Sequence, residues 1–232
     1  MKTDSASVSV IIPTYNRHAF VGEAILSVLA QSISPLEVIV VDDGSSDETA
    51  ALVCDYGHPV RYVYQANAGP AAARNNGLRV AGGDLIGFLD DDDLWPPDRL
   101  ELLLPTLLEH PENEVVLGHT QRMLKRTSAA GETRFTPYRK PVRLFSLGCA
   151  LFRRTVFRKV GVFDERMRYG EDDDWFMRAE GLEIAMVFLP EVSQYYRFHE
   201  GNMTNDKGAR RPFLLHLLKN RLDRERTNTD RS

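Results

Sequence analysis

Four short, continuous runs of β-branched and aliphatic residues punctuate the first part of the chain, with helical patterns between them. The runs cover residues 8–12, 36–41, 60–64 and 84–89. Those at 8–12 and 36–41 read as strands covered on both faces, and the other two as further strands. Between them, residues 19–30 place Phe20, Ile25, Val28 and Leu29 at helical spacing. Residues 47–56 read as a second helix, capped by Ser46 or Asp47. Residues 70–80 read as a third, with Pro70 in the first turn, where a missing N–H costs little. Strands and helices alternating in this way imply an α/β fold with a mostly parallel sheet and right-handed crossovers. Ligands of such sheets bind beyond the carboxyl ends of the strands. Here those ends are residues 14–17, 42–47, 65–69 and 90–93, and all are polar.

The second half is less regular. Helices are expected at residues 96–110, 154–160 and 172–179, and strands at 114–118, 149–152, 184–189 and 193–198. Residues 122–143 are rich in Lys, Arg, Thr and Gly and read as a loop or hairpin. Residues 212–226 read as a closing amphipathic helix.

The 232 residues suit one large α/β domain or two small ones, and 43% hydrophobic content suffices for a core. With no internal repeat and no low-complexity linker, one domain is expected. A formal net charge of -4 excludes the dominant basic field of a nucleic-acid binder. Cys54 and Cys149 read as small buried hydrophobes, and two such residues make no disulfide framework. Residues 1–9 hold no apolar signal core, and no apolar run approaches the roughly 20 residues of a membrane helix. The expected location is the cytoplasm, with peripheral contact at the inner membrane face left open.

The run Asp90-Asp91-Asp92-Asp93 is the most informative stretch. An apolar strand delivers four mutually repelling carboxylates to one point. One or two would serve as a helix N-terminal acid pair; four call for a cation. Carboxylate oxygens suit Mg2+ or Mn2+, which complete their shells with waters and phosphate oxygens. The spacing lacks the glycine and distal glutamate of a calcium EF-hand. After strand two, Asp42 can accept an N–H from a base such as uracil, the alternative being a plain turn. Pro13, Thr14, Tyr15 and Arg17 follow strand one, where Tyr15 can pack on a base. Asn67 and the small residues after it permit close backbone approach to a ligand. Arg74, one turn into its helix, reaches either a phosphate or the aspartate run.

A second acidic cluster, Glu171 to Asp174, follows Gly170. Helix N-termini attract acids in any case. A carboxylate in hydrogen-bond reach of a hydroxyl also suffices as a general base, and Asp172 is the candidate. Glu171 would bond acceptor hydroxyls or hold the turn. His199 ends a strand before a polar loop and can complete a metal's coordination.

Taken together, Pro13-Thr14-Tyr15-Asn16-Arg17, Val41-Asp42-Asp43-Gly44-Ser45, Asn67-Ala68-Gly69 through Arg74-Asn75, Asp90 to Asp93 and Gly170-Glu171-Asp172 closely resemble glycosyltransferase family 2. The resemblance runs from about Val8 to His199 and rests on the ordered set, including an Asp-x-Asp motif. It implies a GT-A fold: a Rossmann-like, mostly parallel sheet flanked by helices, with a smaller mixed acceptor-side region. Residues 7–95 would form the nucleotide-sugar half, 96–206 the acceptor half and 207–232 the terminal helix and tail of one domain. The implied reaction is an inverting, Mn2+- or Mg2+-dependent transfer from a nucleotide sugar, UDP being the commonest expectation. The acceptor would be a glycan, lipid-linked or other hydroxyl. In this resemblance Asp42 meets the base, Asp90 and Asp91 lie near ribose and donor sugar, Asp92 ligates the metal with His199 as a second ligand, and Asp172 is the base.

The Gln-x-x-Arg-Trp motif and membrane helices of processive synthases are absent, which argues for one transfer per encounter. Phe88 to Asp92 also resembles the nucleophile motif of haloacid-dehalogenase-type phosphatases, but three strand–helix units precede it here. A non-catalytic sugar-nucleotide-binding module is a further alternative. A nucleotidyltransferase would need a Gly-rich loop after strand one, which is missing. The terminal helix sets Phe213, Leu214, Leu217, Leu218 and Leu222 beside basic residues, which fits a homodimer contact or an anionic membrane surface.

Overall fold

The computed structural model describes residues 7–128 and 131–202. The expected helix at 212–226 lies outside them. The first half follows the alternation read from sequence: β1 (Val8–Thr14), α1 (His18–Leu29), β2 (Glu37–Asp42), α2 (Thr49–Cys54), β3 (Val60–Tyr64), α3 (Pro70–Val80) and β4 (Leu85–Phe88). The second half contributes α4 (Arg99–Leu108), β5 (Val115–Thr127), β6 (Thr133–Pro137), a 3-10 turn (Leu147–Cys149), β7 (Ala150–Arg153), α5 (Val156–Val160), α6 (Glu171–Gly181) and β8 (Met186–Phe198).

One sheet unites both halves in the order β3-β2-β1-β4-β7-β5-β6, with β8 also paired to β5. The β1–β2, β1–β4, β2–β3 and β5–β8 pairs are parallel, and the β4–β7, β5–β7 and β5–β6 pairs are antiparallel. Neighbouring residues of β1 point to opposite faces, so Ile11 enters one apolar cluster while Val10 and Ile12 enter the other. The Ile11 side holds α3, α5 and α6; the other holds α1, α2 and α4. On α1 the buried face is Val21, Ala24, Ile25 and Val28. Phe20 instead stacks on His199, with ring centroids 4.5 Å apart.

Several sequence expectations are revised. The strands expected at 184–189 and 193–198 are one strand, β8, which begins at Met186 and has register shifts against β5 near Pro190. Proline has no N–H to donate to a ladder, so it sits where pairing is irregular. Residues 122–143, expected as a loop or hairpin, include a hairpin: β5 runs on to Thr127 and pairs antiparallel with β6. The helix expected from residue 96 begins at Arg99, after Pro96 and Pro97. Asp47 binds the N–H groups of Thr49 and His18, tying the starts of α1 and α2 together, without capping α2. Cys149 is buried as expected, whereas Cys54 is exposed at the outer end of α2. No helix among the described residues is long and apolar enough to cross a membrane.

Candidate active site

A cavity of about 590 Å3 opens at the carboxyl ends of the parallel strands. That volume suits a small-molecule substrate. The end of β1 contributes Pro13, Thr14, Tyr15 and Arg17; the approach to α3 gives Asn67, and α3 itself Arg74. Beyond β4 come Asp90, Asp91 and Asp92, and from the head of α6 Glu171 and Asp172. These residues are far apart in sequence, and strand-end topology brings them to one wall.

The aspartate run is held from behind by β8. Leu94 and Tyr195 exchange backbone hydrogen bonds of 3.2 and 2.8 Å. Asp93 is fully buried and accepts from the Arg197 N–H at 2.9 Å and from Gln194 Nε2 at 2.7 Å. Arg197 also donates from Nε to the Asp92 carbonyl and pairs through Nη1 with Glu23. Asp93 therefore anchors the turn and leaves its three predecessors facing the cavity. Burial pushes the Asp91 carboxyl up to about 8, and the Asp92 charge adds to the shift. Asp92 is raised by burial and by Asp90, with His199 opposing. Carboxylates packed this closely disfavour each other's ionisation, and a bound cation would relieve it.

Arg74 bridges the two acidic clusters. Its Nη2 lies 2.6 Å from Asp90 Oδ1, and its Nη1 pairs with Glu171. Burial works against the guanidinium charge, but Asp90, Glu171 and Asp172 outweigh it and raise its pKa. Of the alternatives open in sequence, the structure shows the ion pair. The acids of α6 then divide. Glu171 is held by Arg74, Asp174 by Arg178 at 2.8 Å, and Asp173 points to solvent. Gly170, at φ 66°, makes the left-handed turn that starts the helix. Asp172 is left on the cavity wall. Burial and the charges of Glu171 and Asp173 push its carboxyl up to about 7.

Asp42 does not reach the cavity. It is fully buried, with Oδ1 accepting the Ser45 N–H and Oδ2 the Tyr62 hydroxyl, each at 2.7 Å. A carboxylate so enclosed fastens β2 to β3 and closes its own turn. Its neighbour Asp43 lines the cavity instead. Asp43 accepts from the N–H groups of Ala68 and Gly69 at 2.8 Å, while Asn67 Nδ2 donates to the Asp43 carbonyl at 2.9 Å. Tyr15 is half exposed at the rim, and Arg17 donates to the Gly201 carbonyl at 2.6 Å. Sequence reading also passed over Arg168, Gln194 and Asn202, all on the cavity wall. The available signal for Gln194 was its place at the head of Gln194-Tyr195-Tyr196-Arg197-Phe198.

His199 lies behind Asp92, with Nε2 3.1 Å from Asp92 Oδ2. Its Nδ1 accepts the Gly201 N–H at 3.2 Å, so Nε2 carries the proton and donates to the carboxylate. Among the described residues no three His, Cys, Asp or Glu side chains converge as a complete metal cage. A hard cation that recruits phosphate oxygens needs only one or two protein ligands. The adjacent Asp92 oxygen and His199 nitrogen fit that partial set, provided the proton moves to Nδ1 and the Gly201 contact is released. Gln194, Arg197 and Phe198 differ from the Gln-x-x-Arg-Trp pattern in the last aromatic alone.

A strand-end cavity lined by paired acidic clusters in a mostly parallel sheet is the arrangement of a GT-A nucleotide-sugar enzyme. The model of glycosyl transferase family 2 matches residues 9–161. An uncharacterized glycosyltransferase of Rickettsia typhi is 32% identical over 217 residues, 88% of this chain and 67% of that protein. The glycosyltransferase EpsJ of Bacillus subtilis is 29% identical over 223 residues, 85% of this chain and 62% of that one. The fold matches S. aureus TarS 1-349 in complex with UDP-GlcNAc at a TM-score of 0.71, with 23% identity, over 86% of this chain and 61% of TarS 1-349. The chain thus spans about two thirds of the length of these relatives. It belongs to glycosyltransferase family 2. That membership displaces the phosphatase reading of Phe88 to Asp92.

Proposed function

We infer that this chain transfers a sugar, with inversion, from a UDP-linked donor to an acceptor hydroxyl in glycan, polysaccharide or glycoconjugate synthesis. The observation that carries this reading is Asp172: alone among the acids heading α6 it faces the cavity free of an arginine partner, across from Asp90 to Asp92. TarS structures in complex with UDP and with UDP-GlcNAc support the donor class.

Pro13, Thr14, Tyr15, Arg17 and Asn67 form the wall for the base, with Asp43 in the place first given to Asp42. Asp90 and Asp91 face the ribose and donor sugar, and Arg74 fixes Asp90. Asp92 and His199 would hold Mn2+ or Mg2+, which neutralises charge on the departing diphosphate. Asp172 takes the proton of the acceptor hydroxyl. The oxygen attacks the anomeric carbon from the side opposite the diphosphate, the glycosidic bond to phosphate breaks, and UDP leaves. One displacement inverts the centre.

Thermal stabilisation by UDP, with and without Mn2+, tests the assignment. The expected result is a shift that grows with the metal, because stabilisation follows affinity and concentration. Asp92→Ala should lose the metal-dependent part. Asp172→Asn should keep it and lose turnover by about 100-fold or more, the usual weight of a general base. Undiminished turnover in Asp172→Asn would end the base assignment.

A further inference from the structure

Charge is segregated in this molecule. Residues 122–143 hold seven Lys or Arg and one Glu, a net of +6, in a chain whose total is -4. Lys125, Arg126, Arg134, Arg139, Lys140 and Arg143 are exposed. They lie on and beside the β5–β6 hairpin, which no role in donor binding explains.

The register decides which way the hairpin faces. β5 pairs with β8 as Thr120↔Gln194, Arg122↔Tyr196 and Leu124↔Phe198, and with β6 as Leu124↔Thr136 and Arg126↔Arg134. Residues paired in register share a sheet face, and alternate residues along a strand do too. Gln194 and Tyr196 both line the cavity. Arg122, Arg126 and Arg134 therefore stand on the cavity's face. The Thr120 hydroxyl bonded to Gln194 at 3.1 Å and Arg126 Nε bonded to Thr136 at 3.2 Å agree. The row from Arg122 to Arg126 extends roughly 13 Å away from the cavity wall at the usual rise per residue.

Arg126 and Arg134 are directly opposed, and like charges so placed destabilise a strand pair. The contact of Arg134 with Glu132 is an exposed pair of little worth. At the near end, Arg168 is exposed on the cavity rim beside the Asp172 loop and makes no ion pair among the described residues. An unrelieved row of arginines leading from the base into solvent lacks a structural reason within the fold.

We propose that the acceptor is a polyanionic chain whose charged repeat lies along Arg122, Arg126 and Arg134, with Arg168 meeting the unit nearest the reacting hydroxyl. This deepens the transfer reading and rests on it. A chain is required because the charges are strung out. Arginine forks pair with carboxylate and with phosphodiester oxygens alike, so the row selects repeated negative charge along one chain. A lipid surface is disfavoured because the row shares the face of the cavity, so it meets what enters the cavity.

The test uses a fluorescent glycerol-phosphate oligomer, with polyglutamate of equal charge, neutral dextran, and vesicles of phosphatidylcholine and phosphatidylglycerol as the other arms. Anisotropy and sedimentation should show both polyanions bound more tightly than dextran, their order telling phosphate from carboxylate repeats, and the vesicles unbound. The triple variant Arg122→Ser/Arg126→Ser/Arg134→Ser should lose affinity and flatten the log–log salt slope by about 2, the value for three phosphate contacts on a flexible chain. Its stabilisation by UDP should be unchanged, which also shows that it folds. Equal binding of dextran, binding to vesicles alone, or a variant with the parent's salt slope would overturn the proposal. Failure of the transfer reading would show elsewhere, as absence of UDP stabilisation in the parent chain.

Discussion

At Asp172, position and ionisation point the same way. The side chain sits on the cavity wall, and its carboxyl is pushed up to about 7, chiefly by burial and then by Glu171 and Asp173. A general base must be ionised to accept a proton. Turnover per bound substrate should therefore rise with pH to about 7 and level off above, a limb missing from the residual turnover of Asp172→Asn because asparagine does not titrate. Stability runs in the opposite sense. A carboxyl whose folded pKa exceeds its unfolded value near 4 destabilises the fold once ionised. The penalty is absent at about pH 4, grows up to about pH 7 and stays constant beyond. Asp172→Asn should match the parent in melting temperature at the acid end. It should exceed the parent at pH 8 by about 1–3 kcal/mol, three pKa units discounted for partial solvation. Equal melting at pH 8 would mean that Asp172 is not under that pressure. Sequence reading found this residue because Gly170 and four acids mark a helix start. It could not separate Asp42 from Asp43, since β2 is buried on both faces and alternation points neither outward. The Tyr62 hydroxyl, a partner on another strand, enclosed one of the two.

The elements were legible where their signal is local. The three strand–helix units ahead of β4 were recovered within a few residues, because continuous apolar runs and helical spacing are properties of the segment itself. The β5–β8 ladder was not, because its length is set by two segments finding each other across the sheet. The tightest junction in the first half is α3 on β1. A Cβ built on Gly77 would lie 2.5 Å from Ile11 Cγ2, and Ile11 is fully buried. Alanine should favour an isolated helix over glycine by about 1 kcal/mol. Overpacking a core costs about 1–3 kcal/mol. The close contact is expected to win, so Gly77→Ala should melt lower, at about 2–4 °C per kcal/mol for a chain of this size. A melting temperature above the parent's would show that β1 and α3 separate without cost. Turnover should fall as well, since any shift of α3 displaces Arg74, three residues earlier.

For the molecule as a whole, the central question is what holds the two acidic walls of the cavity at a fixed separation. The sheet runs through both halves, but the catalytic candidates sit on its rim, in the turn after β4 and at the head of α6. Arg74 is the side-chain link between them, a buried cation on α3 that grips Asp90 on one wall and Glu171 on the other. Its partner Glu171 is only 5% exposed. Breaking a buried pair by removing one member strands the other charge, at about 3–5 kcal/mol, whereas replacing both by apolar groups is often neutral. Arg74→Met should thus melt well below the parent, and Arg74→Met/Glu171→Met should recover much of the loss. Activity should not follow stability. Neither variant restores a cation beside Asp172, whose ionisation Arg74 favours. In Arg74→Met the acid limb of the pH profile should therefore move above 7; in the double variant the opposing charge of Glu171 is gone as well, and turnover should remain low because Asp90 has lost the partner that fixes it. A double variant that regained both stability and turnover would show that Arg74 supports the fold alone and that the spacing of the two walls is set by the sheet.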